Sequence, residues 1–69
     1  MSVLGNILNA TATLSKIAIA KKLNSEGVEL ANAGHYYAAL DKFDEALSYF
    51  PNETQFLENK RAVLEILYD

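Results

Sequence analysis

Residues 34–51 read GHYYAALDKFDEALSYFP. A glycine opens the stretch and a proline closes it. Between them Ala39, Leu40, Phe43, Ala46, Leu47 and Phe50 recur at steps of three and four. That spacing puts all six on one side of an α-helix and leaves Asp41, Asp44, Glu45 and Ser48 on the other. Gly34 suits the left-handed residue that caps a preceding helix. Pro51 cannot continue the helix it follows. The stretch is therefore the second arm of a helical hairpin, with "NAGHY" at 32–36 as the connecting loop.

On the C-terminal side, "FPNET" at 50–54 reads as a second short loop. Asn52 is placed to cap a third helix, with Gln55 answering it in a capping box. Phe56 or Leu57, Val63, Leu64 and Leu67 then face inward, and Glu58, Arg61 and Glu65 outward. On the N-terminal side no loop signal interrupts residues 6–33. No run alternates with period two, so the expected fold is all-α. Its helices are expected over Val3–Ala33, Tyr36–Phe50 and Glu53–Tyr68. The domain reading is a single unit, 1–69: an N-terminal helical arm over 1–19, the hairpin over 20–53 and a capping helix over 54–69.

The 69 residues sit near the size at which one core is marginal without disulfides, metal or oligomerisation. The chain has no cysteine, which excludes disulfides and thiolate metal sites and fits a reducing, cytoplasmic setting. The net charge of −3 conceals an asymmetry. Residues 1–25 carry Lys16, Lys21 and Lys22 and no acid, while all nine acids fall in 26–69. An acidic protein whose lysines are not interleaved with aromatics is not a nucleic-acid binder. Nor does the start read as a targeting peptide, having no arginine and no cations ahead of its apolar residues. The uncharged run from Met1 to Ser15 is too short, and too rich in Asn and Thr, to span a bilayer. An amphipathic helix lying on a membrane surface is the alternative use of that run.

Residues 20–53 resemble a tetratricopeptide repeat, a helix–turn–helix of about 34 residues. Leu23, Glu26, Gly27 and Leu30 fall at the spacing of its W-x2-L-G-x2-Y element. Gly34 and Tyr36 match its turn, Ala39 and Phe43 its A-x3-F, and Ala46 and Pro51 complete it. The first helix departs from the pattern, with Leu23 and Leu30 for aromatics and Glu26 for a leucine. The stretch is also similar to the microtubule-interacting and trafficking domain, a three-helix bundle with a comparable G-x-Y-x-x-A-L-x-x-F-x-x-A-L run. The proline-terminated second helix and short second loop favour the tetratricopeptide resemblance. That resemblance implies close helix packing at Gly27, Ala39 and Ala46, and a concave surface for a protein ligand. The third helix starts as a further repeat would, but Lys60 and Arg61 occupy places where small and apolar residues belong, which suits a cap. Together with Met1 this leads to the expectation of a whole protein rather than a fragment of an array.

Helix one is longer than its partner. Thirty residues at 1.5 Å each reach about 45 Å, whereas helix two can accompany only half of that. The face toward helix two is Ala20, Leu23, Gly27 and Leu30. Continued backwards it reads Ser2, Gly5, Asn6, Asn9, Thr13 and Lys16, which is polar where helix two has run out. The apolar residues of the arm follow another stripe: Val3, Ile7, Ala10, Leu14 and Ile17, flanked by Leu4 and Leu8. The same spacing continues through Lys21, Asn24, Val28 and Ala31. One expectation is a straight overhanging arm; the alternative is a kink near Thr11–Ser15 that folds residues 1–15 back as a fourth helix.

No constellation for catalysis is present. His35 is the only histidine and has no Ser or Cys companion, so neither nucleophilic nor metal chemistry is expected, and no cofactor. Asp41, Asp44 and Glu45 read as a solvated face. Tyr36, Tyr37, Tyr49 and Phe50 are expected in core and loop packing. The functional expectation is a non-enzymatic protein–protein interaction module. Its groove is Lys21, Asn24, Val28, Ala31 and Asn32, taking a helix or peptide. Asn24 and Val28 do not match the carboxylate clamp of some chaperone-binding family members. Val3, Ile7, Ala10, Leu14 and Ile17 form a seam for self-association, most simply a dimer, with parallel and antiparallel pairings both open. A membrane-peripheral adaptor is the reading from a different class.

Overall fold

The computed structural model describes the backbone from Ser2 to Asp69 and the side chains from Leu14 onward. It contains three helices, α1 (Ser2–Asn32), α2 (Tyr36–Tyr49) and α3 (Thr54–Tyr68), and no strand among the described residues. The fold is all-α: a helical hairpin followed by a third helix. α1 passes through 11–15 unbroken, so the alternative with a kink and a fourth helix is set aside.

The α1–α2 corner follows from Gly34. Its φ is +86°, the left-handed region that a side chain disfavours. The His35 N–H reaches back to the Leu30 carbonyl at 2.8 Å, and the Gly34 N–H to that of Ala31 at 3.0 Å. This crossed pair of bonds is the Schellman motif, and it satisfies carbonyls that the end of α1 would otherwise leave open.

The two helices then pack at their smallest residues. Gly27 faces the Phe43 ring so closely that a Cβ added there would lie 2.5 Å from it. Ala39 and Ala46 flank Phe43 on α2, and all three are buried. α3 completes the core by burying Phe56 against Ala20 and Ala46, and Val63 against Ala39 and Phe43. Leu57 is exposed, so of the two candidates Phe56 is the core residue. Ion pairs bridge each neighbouring couple, Lys42–Glu26 at 3.7 Å and Lys60–Asp44 at 2.7 Å. Their side chains are a third to a half exposed, and such pairs are worth under about 1 kcal/mol. They help to set register.

Two local expectations are corrected. α3 starts at Thr54 with Glu53 as its cap, extended and without a side-chain bond, so the Asn52–Gln55 capping box does not form. The Glu53 N–H instead donates to the Phe50 carbonyl at 3.2 Å, closing a turn with Pro51 and Asn52 at its centre. Pro51 draws Asn52 into that turn, one residue short of the cap. The tyrosines also divide: Tyr36 packs on the Phe43 cluster, whereas Tyr37 and Tyr49 are exposed and contribute nothing to the core.

Substituting Gly27 with Ala separates packing from helix propensity. Propensity alone favours alanine by up to about 1 kcal/mol, but the Phe43 ring must move, and overpacking costs about 1–3 kcal/mol. The expected outcome is a lower urea midpoint, recovered in part when Phe43 is also changed to Leu. A midpoint at or above that of the parent contradicts the close approach.

Candidate functional site

α1 has 31 residues and α2 has 14, so about 25 Å of α1 runs on without α2 beside it. The protein is correspondingly elongated, 55 Å in its longest dimension. Ala20 is fully buried and Leu23 half-buried, but Leu14 is 64 % exposed and Ile19 44 %. Ile17, next on the stripe from Leu14, is half-buried. The other three seam positions, Val3, Ile7 and Ala10, lie outside the described side chains.

Where α1 leaves the hairpin, a notch of about 490 Å³ opens between it and the α2–α3 turn. Ile17, Ala20, Lys21 and, at its inner end, Asn24 form one wall, and Phe50, Glu53 and Phe56 the other. The Phe50–Glu53 turn explains this shape. Closing the chain at Phe50–Glu53 leaves Phe50 half-buried at the edge of the Ala20 cluster and presents Glu53 in the same notch as Lys21.

The expected groove residues do not form one continuous trough. Lys21 lines the notch and is exposed. Asn24, one turn on, is only 9 % exposed, and its Oδ1 accepts a 2.9 Å hydrogen bond from Asn59 Nδ2 on α3. Val28, Ala31 and Asn32 lie beyond it, in a separate shallow depression of about 200 Å³ shared with Asn59, Ala62 and Ile66 of α3. α3 therefore divides the stripe at Asn24. Sequence reasoning missed Phe50, Glu53 and Phe56 as notch walls, because they reach the α1 stripe only through the geometry of the second turn.

The remaining chemistry is sparse. His35 sits exposed at the start of α2. No cluster of three His, Cys, Asp or Glu side chains able to hold a metal occurs among the described residues. The Tyr68 phenol is held above its ordinary pKa, first by its hydrogen bond with Tyr37.

A small-residue hairpin that ends in proline and carries a third helix against its second fits one unit of the tetratricopeptide repeat class. The first of the two resemblances seen in the sequence is thereby supported. The chain is 35 % identical over 71 residues to human tetratricopeptide repeat protein 33, an alignment that takes in 94 % of this chain. It spans 27 % of the length of that curated relative. No family model matches the chain. No solved structure matches it either.

The Asn24–Asn59 bond is the hinge of this geometry and can be tested alone. Net contributions of such bonds are about 0.5–1.5 kcal/mol. A double-mutant cycle with Asn24→Ala and Asn59→Ala should return a coupling free energy of that size from urea unfolding. Strictly additive single changes would mean that the two side chains do not hold α1 to α3.

Proposed function

We propose that this chain is a non-enzymatic protein-interaction module whose binding surface is the notch at residues 17–21 and the stripe leading into it. The observation that carries the reading is a pocket in which Ile17, Ala20, Phe50 and Phe56 stand beside Lys21 and Glu53, with Leu14 exposed one step back along the α1 stripe from Ile17. A leucine left 64 % exposed on that stripe forgoes part of the roughly 1.5–3 kcal/mol that full burial supplies. An apolar segment laid along the stripe recovers it, in the helix-in-groove mode. The tetratricopeptide-named relative supports the same class of function. Val28, Ala31 and Asn32 extend the surface beyond Asn24 as a second, shallower contact.

The setting most consistent with this reading is cytoplasmic. No described helix is long and apolar enough to cross a membrane. The membrane-peripheral reading depends on Lys16 and Lys22, exposed beside the stripe. Pelleting with anionic vesicles, lost on raising the salt, would favour it over a protein partner.

Random 16-residue peptides displayed on phage, selected against sparsely immobilised chain, test the proposal. Enriched sequences should carry apolar residues at helical spacing, and Ile17→Asp should abolish their binding while Tyr37→Ala leaves it intact. No enrichment, or binding indifferent to Ile17→Asp, would sink the notch as the binding surface.

A further inference from the structure

We infer that the occupant of the notch is the α1 arm of a second copy of this chain, paired antiparallel in one particular register. The inference rests on the protein-binding reading of the notch and adds the identity and direction of the partner.

The stripe alternates two classes of position: Val3, Ala10 and Ile17 in one, and Ile7, Leu14 and Lys21 in the other. Two antiparallel helices interlock knobs with holes when each class meets the other. Of the registers that satisfy this, one sets Ala10 against Leu14 of the second copy, Ile7 against Ile17 and Val3 against Lys21. Sliding by one heptad to lengthen the overlap would set Ile7 against Asn24 and Val3 against Val28. That register is disfavoured, because it presses Ile7 onto Asn24, a polar side chain at the inner end of the notch that is 9 % exposed and already bonded to Asn59 of α3. Sliding the other way leaves Ile17 without a partner. The chosen register is thus the longest overlap that keeps apolar residues off the Asn24–Asn59 pair. It brings the first turn of one α1 to the notch of the other.

Charge points the same way. A parallel pair in register would stack Lys21 on Lys21, a like-charge contact on the seam. In the antiparallel pair Lys21 meets Val3, an uncharged run without acid or base from Met1 to Ser15, and shares its own notch with Glu53. Each copy completes the other's pocket, giving two equivalent contacts across a two-fold axis, so the assembly closes and does not propagate.

The chain has no cysteine, so introduced thiols report without interference. Two single variants, Ala10→Cys and Leu14→Cys, are oxidised separately and then as an equimolar mixture. The register predicts crosslinked dimer chiefly in the mixture, several-fold above either variant alone. Residues 10 and 14 of opposite copies lie level across the seam, whereas residue 14 and its own copy are offset by about 6 Å along the axis, which added to the separation across the seam exceeds disulfide reach. Sedimentation of the unaltered chain across a dilution series should show a monomer–dimer equilibrium. Efficient crosslinking of Leu14→Cys alone would overturn the antiparallel register. A monomeric mass throughout, with no crosslink in the mixture, would overturn self-pairing. If displayed peptides still depend on Ile17 in that case, only the self-pairing has failed; if they do not, the notch reading has failed with it.

Discussion

The fold depends on one contact, the Phe43 ring seated on Gly27. A glycine inside a helix costs up to about 1 kcal/mol relative to alanine, and here the cost secures an approach that a Cβ would block. With Gly27 and Phe43 in contact, Ala39 and Ala46 bring the backbones of α1 and α2 together on either side. α3 then needs only two large side chains to finish the core: Phe56 on the Ala20–Ala46 end and Val63 on the Phe43 end. A small chain without disulfides must gain its stability from this tight junction.

The same junction makes α1 asymmetric. Its C-terminal half is held by α2 along Ala20, Leu23, Gly27 and Leu30, and by α3 through Asn24 and Asn59. The N-terminal half extends past both. A repeat array solves that problem by stacking the next unit on the open side. In this chain the open side presents a notch at residues 17–21, and the stripe that enters it is apolar. On the proposed reading, function and stability draw on the same surface: a segment that fills the notch also supplies packing that the hairpin alone lacks.

The hairpin was legible in the sequence because its determinants are local and chemically distinctive. Gly34 needs a left-handed φ, and Ala39, Phe43 and Ala46 share a face at helical spacing. The pattern of polar and apolar residues on α1 likewise showed where α2 runs out. What escaped was the path from α2 to α3. Asn52 and Gln55 carry a capping signature, yet Pro51 takes Asn52 into the preceding turn, so two local signals competed and the turn prevailed. The pairing of Asn24 with Asn59 spans 35 residues and depends on that turn. No periodicity in α1 could show that its stripe would be divided there. Tyr37 and Tyr49 misled for a related reason, since aromatic character alone does not say which side of a helix the third helix will cover.

Amide hydrogen exchange along α1 at low and high protein concentration tests the central claim, that the two halves of this helix are held by different partners. The account predicts that amides at 20–32 are equally protected at both concentrations, whereas those at 6–17 gain protection only as concentration rises. Protection of 6–17 that is independent of concentration, or never exceeds that of a free peptide, would contradict it.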